Sequence, residues 1–185
     1  MSWYQAWGKR LLDLVASTIG LVLLLPLLLL LCVLVLFVDR QSPIFSQTRI
    51  GRNGAVFTLF KIRTMPRQTP DLPSHEVDQK TISNLGGFLR KSRLDELPQL
   101  VNVATGSMSL VGPRPSLPTQ TILISERKAR DVLKLRPGIT GLAQVVGLDM
   151  SNPEQLAQMD AQYAKNISLS GDLTILFRTF APSKR

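Results

Sequence analysis

Cysteine and histidine are almost absent from this sequence. Its 185 residues contain one cysteine, Cys32, and one histidine, His75. A chain with one cysteine has no disulfide framework, and these two residues cannot supply the four ligands of a structural zinc site. They also make a poor nucleophile–base pair, because Cys32 lies in an apolar run and His75 in a segment rich in proline, aspartate and serine. The low cysteine content favours a reducing, cytosolic setting.

Aromatic and acidic residues are also scarce. Aromatics make up 6% of the chain, which disfavours the broad stacking surfaces that bind single-stranded nucleic acid. Lysine and arginine number 22 against 13 aspartates and glutamates, and the formal net charge is +9. Residues 1–40 hold three basic and two acidic side chains, so nearly all of the surplus lies in residues 41–185. Such a surplus predicts an anionic partner: phosphate groups, acidic lipid or nucleic acid.

Charge is missing altogether from residues 14–38, a run of 25 residues bounded by Asp13 and Asp39. At 1.5 Å per residue, a helix of this length reaches about 37 Å, enough to cross a hydrocarbon layer of about 30 Å. The run is longer than the apolar region of a signal peptide, and no cleavage site of small residues follows it. We therefore predict a membrane segment in residues 1–40 and one basic, water-facing domain in residues 41–185.

Pro26 divides the apolar run into two halves of twelve residues and leaves two membrane geometries open. A single span with Lys9 and Arg10 inside the cell would export the basic domain. A re-entrant helix–break–helix would keep both ends on the cytoplasmic face, and a proline can produce the required bend. Prolines are also common in spanning helices, so the residues alone slightly favour the single span.

The remaining sequence predicts a mainly helical α+β domain with a short β-hairpin. Two runs rich in β-branched and aromatic residues, 43–50 and 55–65, flank a turn at 51–54 and predict the hairpin. Residues 67–79 are typical of a loop. Glycine, proline and capping residues predict helices at 81–91, 97–104, 120–135, 153–165 and 173–180, with strand-like runs at 107–111 and 142–146. Asn152 and Asp172 are the residues predicted to start the last two helices.

The strongest candidate for chemistry is the adjacent pair Asp95 and Glu96, just before a predicted helix. Neighbouring residues cannot share one face of a regular element, but at a helix N terminus they can point to different partners. The helix dipole and the nearby Arg90, Lys91 and Arg93 should favour both carboxylates as anions. That state suits a nucleophile or a metal ligand better than a general acid. Ordinary helix capping is the alternative, and the pair taken by itself favours it.

Cations in stiff segments form a second group of candidates. Lys61 and Arg63, two residues apart on a predicted strand, share one face. Arg114 lies between two prolines, and Arg136 begins a proline–glycine turn. A rigidly held guanidinium binds phosphate oxygens at little entropic cost, although solvated surface residues would give the same pattern. With the carboxylate pair, these cations suggest Mg²⁺-assisted phosphoryl transfer at a membrane.

Several motifs occur in order along the chain. They are Lys9-Arg10 with Asp13, the apolar run with Pro26, Phe45-x-Gln47-x-Arg49-x-Gly51, Phe60-Lys61-x-Arg63-Thr64-Met65, Leu94-Asp95-Glu96-Leu97-Pro98-Gln99-Leu100-x-Asn102-Val103, Met108-Ser109-x-Val111-Gly112-Pro113-Arg114-Pro115 and Arg136-Pro137-Gly138-Ile139-Thr140-Gly141. Together they resemble the bacterial sugar transferase family, the small monotopic phosphoglycosyl transferases. The resemblance covers nearly the whole chain.

This resemblance implies an activity and a set of site residues. Such enzymes take a sugar 1-phosphate from a UDP-sugar and place it on undecaprenyl phosphate, releasing UMP, through a covalent phosphosugar on an aspartate. By position that aspartate is Asp95, and Glu96 would bind Mg²⁺. The substrate-binding cations would be Lys61, Arg63, Arg90, Arg114 and Arg136.

The resemblance also implies where the protein works. Pro26 matches the family's helix-breaking proline, so the segment would be re-entrant, with interfacial helices on the domain and both termini on the cytosolic face of the bacterial inner membrane. Partners would be the UDP-sugar, undecaprenyl phosphate and membrane lipid, with no nucleic acid and with a homodimer as one possible assembly. Two residues depart from the family pattern. Leu25 occupies a position where the family often has serine, and Arg93 one where a small hydroxyl residue is common. A non-catalytic, membrane-anchored binder of anionic lipid or nucleic acid is the alternative function.

Overall fold

The computed structural model describes residues 3–66, 69 and 82–180. The predicted loop at 67–79, apart from residue 69, lies outside the described residues, as does His75. The described part is mainly helical with two small sheets, which confirms the predicted α+β class. Helix α1 (Lys9–Val38) follows a short π-helical turn, and is the one described helix long and apolar enough to cross a membrane.

Helix α1 passes through Pro26 without interruption. The prediction of two helices separated by a break is therefore wrong at the level of secondary structure. A proline removes one backbone N–H and bends a helix without having to end it, and the leucine-rich flanks here favour continued helix. Most apolar side chains of α1 are exposed, whereas Asp13, Ser17, Leu31 and Val35 are buried.

Both halves of α1 contact the same domain. Near its start, Arg10 donates through Nη1 to the Val103 carbonyl at 2.7 Å, and the Asp13 carboxylate accepts from the Leu110 N–H at 2.9 Å. Near its end, Leu31 and Val35 share a buried cluster with side chains of the hairpin and of helix α2 (Asn84–Lys91). One stripe of α1 is thus attached to the domain along most of its length.

The predicted hairpin is confirmed. Strands β1 (Ile44–Ile50) and β2 (Val56–Ile62) pair antiparallel, and the turn between them has positive φ at Asn53 and Gly54. Strand β2 ends three residues earlier than predicted. Helix α3 (Gln99–Thr105) packs against β2, where the Asn102 side chain donates to the Thr58 carbonyl at 2.7 Å and accepts from the Phe60 N–H at 3.1 Å.

A second sheet joins the turn that carries Arg114 to the turn that begins with Arg136. Strands β3 (Ser109–Val111) and β4 (Gly138–Thr140) are parallel. A side chain at Gly138 would place its Cβ 2.1 Å from the Gly112 nitrogen, so only glycine allows the two turns to approach this closely. The strand predicted at 142–146 is instead helix α5 (Leu142–Val145). Its short apolar run is buried on two sides, and periodicity cannot separate a buried strand from a buried helical turn.

The C-terminal helices follow the prediction with two corrections. The predicted helix at 120–135 stops early: α4 (Thr121–Ala129) ends before Asp131, whose φ of 59° breaks the helical path. Helix α6 (Pro153–Lys165) begins at the predicted cap, where Asn152 accepts from the Gln155 N–H at 3.1 Å.

Helix α7 (Leu169–Phe180) starts before the predicted Asp172, because Ser168 accepts from the Gly171 N–H at 3.2 Å. Asp172 is fully buried instead, and accepts from Tyr4, Lys9 and Tyr163 at 2.6, 2.5 and 2.8 Å. This carboxylate ties the start of α1 to α6 and α7.

Candidate active site

Asp95 and Glu96 lie in a single 3₁₀ turn, Leu94–Glu96, between α2 and α3. Arg93 before the turn has a φ of 59°, which redirects the chain, and Pro98 leads into α3. The two carboxylates have different surroundings, as the sequence predicted for adjacent residues at a helix start. The Asp95 side chain is 7% exposed, and among the described residues no donor is hydrogen-bonded to it.

Glu96 is fixed by two of the predicted cations. Lys61, on β2, donates to Glu96 Oε1 at 2.9 Å, and Arg114 Nη1 lies 3.5 Å from the same oxygen. Both contacts come from elements remote in sequence, so the fold brings three predicted site residues together. A small cleft opens beside them, and its lining includes Lys61, Glu96, Gln99, Arg114, Pro115 and Ile139.

The pKa values of the two carboxyls move in opposite directions. Burial raises the pKa of Asp95 above its usual value, and the neighbouring Lys61 only partly offsets this. Burial acts on Glu96 too, but Lys61 and Arg114 outweigh it and lower the pKa of Glu96 to about 2. The expectation that the surroundings favour both carboxylates as anions agrees with the lowered pKa of Glu96. The pKa of Asp95 shifts the other way, since local charge patterns do not reveal burial.

Arg90 and Gln99 lie near the pair, and each has a buried nitrogen with no acceptor among the described residues. Arg90, in the last turn of α2, lies close enough to Asp95 to lower its pKa, and its Nη1 is buried without a hydrogen-bond partner among the described residues. Gln99 was not predicted as a site residue. It is 2% exposed, lines the cleft and has an unpartnered buried Nε2. Its spacing of three residues from Glu96, about one helical turn, was the signal in the sequence.

Arg63 and Arg136 are not brought to the pair. Arg63 donates to the carbonyls of Ser42 and Ile44 at 2.9 and 3.2 Å, because β2 has ended and its side chain turns back on β1. Arg136 donates through Nε to the Gly106 carbonyl at 2.9 Å, at the far end of α3 from Glu96.

Two buried arginines, also missed from the sequence, hold the turn that carries Arg114. Arg127 Nη1 donates to the Arg114 carbonyl at 2.8 Å, and Arg49 Nη1 donates to the Pro115 carbonyl at 3.0 Å. Arg127 is itself bound to Asp160 through Nε and Nη2, at 2.9 and 2.7 Å. Nothing in the charged helix pattern separates Arg127 from its solvated neighbours, so sequence reasoning had no signal for it.

The oxygens of this site fit a magnesium ion. Lys61 and Arg114 occupy one Glu96 oxygen, and no described donor binds the other or the Asp95 carboxylate. Within the described ranges, no group of three or more histidine, cysteine or acidic side chains forms a metal cage. Mg²⁺ ordinarily needs only one or two protein carboxylates, with phosphate and water completing its shell.

Fold and site together define a membrane-associated α+β protein with a carboxylate pair set among fixed cations. The family model for bacterial sugar transferases matches residues 4–183, so the chain belongs to that family, as its motifs indicated.

Matches to known proteins cover most of this chain. It is 39% identical over 190 residues to the exopolysaccharide production protein ExoY of Rhizobium meliloti, covering 93% of this chain and 83% of that one. It is 39% identical over 182 residues to the UDP-glucose:undecaprenyl-phosphate glucose-1-phosphate transferase of Caulobacter vibrioides, covering 92% and 67%. The UDP-galactose-lipid carrier transferase of Erwinia amylovora is 38% identical over 193 residues, but the match covers only 39% of its length.

Proposed function

We propose that this protein transfers a sugar 1-phosphate from a UDP-sugar to undecaprenyl phosphate and releases UMP, as a step in polysaccharide synthesis. The observation that carries the proposal is Asp95, a carboxylate that accepts no hydrogen bond from the described part of the chain, beside Glu96 and three cations: Lys61, Arg90 and Arg114. The names of the Caulobacter and Erwinia relatives support the donor and acceptor classes.

Asp95 would act as the nucleophile in two displacements. In the first, a carboxylate oxygen forms a bond to the sugar-bearing phosphorus of the UDP-sugar, and the bond from that phosphorus to the bridging oxygen breaks. UMP leaves with that electron pair. In the second, a phosphate oxygen of undecaprenyl phosphate attacks the same phosphorus and the bond to Asp95 breaks. The carboxylate is restored, and neither step needs a general base to activate the nucleophile.

The other residues would bind and orient the charged groups. Lys61 and Arg114 fix Glu96, and with Arg90 they provide positive charge for the diphosphate. The carboxylate oxygen of Glu96 that they leave available would hold Mg²⁺, which when bound offsets repulsion between the anionic nucleophile and the anionic phosphate. Gln99 Nε2 would donate to an oxygen of the bound donor.

A release assay tests the reaction. With purified protein, Mg²⁺ and undecaprenyl phosphate, we expect repeated UMP release from at least one member of a panel of UDP-sugars. Without the lipid phosphate, release should stop after about one equivalent, because the covalent intermediate has no acceptor. EDTA should abolish UMP release both with and without the lipid phosphate. Failure of every UDP-sugar in the panel to release UMP would contradict the proposal.

Lys61 should set the lower pH limit of the first displacement. Asp95 must be ionised to attack, so the rate falls as pH drops through its pKa. Lys61 is the main group lowering that pKa against burial, so Lys61→Met should move the acid limb of covalent labelling to higher pH. The measurement is labelling rate against pH at saturating donor, with the exposed Lys128→Met as the control. An unchanged acid limb would show that Lys61 does not act on Asp95.

We propose a re-entrant path for α1, with both termini on the cytosolic face. The support is that both halves of α1 pack against one domain, through Arg10 and Asp13 at one end and Leu31 and Val35 at the other. Thirty residues of straight helix would reach about 45 Å and place those two ends on opposite sides of a bilayer. A bend at Pro26 would keep both near the surface, where a soluble UDP-sugar and a lipid phosphate can both reach Asp95.

Cysteine labelling tests the path. In a Cys32→Ser background, Ala6→Cys before α1 and Ser125→Cys on the exposed face of α4 each provide one reactive thiol. We expect an impermeant maleimide to label both in inverted membrane vesicles and neither in intact spheroplasts. The Cys32→Ser protein without an added cysteine is the control. Opposite accessibility of the two positions would establish a spanning helix.

A further inference from the structure

Three guanidinium groups come together at the end of α3 remote from Asp95. Arg10 reaches it from α1, Arg52 from the hairpin turn and Arg136 from the turn before β4. Arg10 Nη2 lies 3.2 Å from where a side-chain carbon on Gly106 would be, and Arg136 Nε is 2.9 Å from the Gly106 oxygen. Arg52 Nε donates to the carbonyl of Lys134, two residues from Arg136, at 2.9 Å.

The three arginines differ in how many donors remain available. Arg10 uses both terminal nitrogens on the Val103 and Ala104 carbonyls, at 2.7 and 3.0 Å. Arg52 and Arg136 are each fixed through Nε alone, and the terminal nitrogens of both make no hydrogen bond within the described part of the chain. An Nε bond to backbone orients a guanidinium while its two-nitrogen fork stays available for an anion.

The positive charge of this cluster is poorly compensated. Burial lowers the pKa of Arg136, and Arg52 and Arg10 lower it further, which places both of these cations within electrostatic reach of Arg136. Among the described residues, Asp13 is the one carboxylate that acts on Arg136, and it is buried and bound to the Leu110 N–H. Holding like charges together costs free energy unless an anion binds between them.

The cluster lies at the level where the apolar surface of α1 begins. Arg10 connects it directly to the first turn of α1, the exposed apolar side chains of that helix start at Leu11, and Trp3 and Trp7 are 71% and 75% exposed just before them. If that apolar surface is in hydrocarbon, the arginine forks are at the depth of the lipid headgroups.

We infer that Arg52 and Arg136 form a second anion site, separate from the Asp95 site, which binds the phosphate group of an anionic phospholipid beside α1. Arg10 adds positive charge next to this site, and its hydrogen bonds to Val103 and Ala104 fix α1 to the end of α3. This assigns Arg136 to a lipid contact instead of the donor cleft. The site does not depend on the chemistry proposed for Asp95.

Titration of a soluble short-chain lipid tests the inference. The full-length protein, in detergent and in a Lys61→Gln/Arg114→Gln background that weakens the donor cleft, is titrated with dihexanoylphosphatidylglycerol and adducts are counted by native mass spectrometry. Arg52→Gln and Arg136→Gln should each weaken this binding by about tenfold, the loss of a charge-assisted bidentate contact. Lys134→Gln is the matched control, since its exposed ammonium is paired with Asp131 at 3.0 Å.

The outcomes separate the possible sources of the phosphate. Inorganic phosphate that binds as tightly as the lipid, with the same loss in Arg52→Gln, would support the site and assign it to a soluble phosphate. Phosphatidylglycerol binding without inorganic phosphate binding would support the lipid. Unchanged lipid binding in Arg52→Gln, or an equal loss in Lys134→Gln, would overturn the inference, because the attraction would then be diffuse surface charge.

Discussion

Replacing Asp95 by asparagine should abolish UMP release, with a loss on the order of a thousandfold or more. The amide has almost the same shape as the carboxylate but is a poor nucleophile, so neither displacement can begin. Covalent labelling is the sharper measurement. Wild-type protein incubated with a UDP-sugar radiolabelled in the sugar-bearing phosphate should retain label after denaturation, and the Asp95→Asn protein should retain none.

Two controls make this result specific to Asp95. Asp131→Asn, an exposed aspartate remote from the cleft, should label normally. Glu96→Gln keeps the nucleophile and should label slowly instead of not at all. Label retained at the wild-type level in Asp95→Asn would show that another group is the nucleophile.

The same substitution should not destabilise the protein. Folding raises the pKa of Asp95, so at pH above the unfolded-state value the buried charge makes the folded state less stable, and that penalty disappears as pH falls. Asparagine removes the charge without changing the shape. At neutral pH we therefore expect a melting temperature equal to or above that of the wild type, as for a residue kept for activity at some cost in stability.

Local patterns were sufficient for the elements that local physics determines. The apolar run predicted α1, β-branched residues around Gly51–Gly54 predicted the hairpin, and Asn152 with Pro153 predicted the start of α6. The predictions were wrong where burial or distant contacts decide. The apolar residues of α5 are buried on two sides, and the fully buried Asp172 serves three donors instead of capping a helix.

The candidate site shows the same division. The carboxylate pair and the arginine of the proline-rich turn were recognisable as motifs. Lys61 and Arg63 looked equivalent, with the same charge and the same predicted face, yet β2 ends between them and only Lys61 reaches Glu96. The raised pKa of Asp95 comes mainly from burial, which no spacing of residues reveals.

Arg127→Met should cause a large loss of stability although Arg127 lies outside the Asp95 cleft. Arg127 and Asp160 form an ion pair whose side chains are 3% and 4% exposed. Removing the cation leaves a buried carboxylate without its partner, at a cost of about 3–5 kcal/mol. The measurement is denaturant unfolding in detergent at neutral pH. Arg130→Met, at the C-terminal end of the same helix, is the control, since Arg130 is only partly buried.

The loss should depend on pH in a defined direction. Burial already raises the pKa of Asp160, and Arg127 is what lowers it. Without Arg127 the carboxyl takes up a proton more readily, so the destabilisation should shrink as pH falls and the buried group becomes neutral. A loss of equal size at every pH would mean that the cavity, not the unpaired charge, is responsible.

The double variant Arg127→Met/Asp160→Leu separates stability from function. Replacing both members of a buried pair by apolar residues should restore most of the stability. It does not restore the Nη1 hydrogen bond to the Arg114 carbonyl, so the turn that presents Arg114 to Glu96 stays less constrained. We expect UMP release to remain about tenfold below wild type, the effect of about one lost hydrogen bond on the barrier. Recovery of activity together with stability would show that Arg127 only holds α4 to α6.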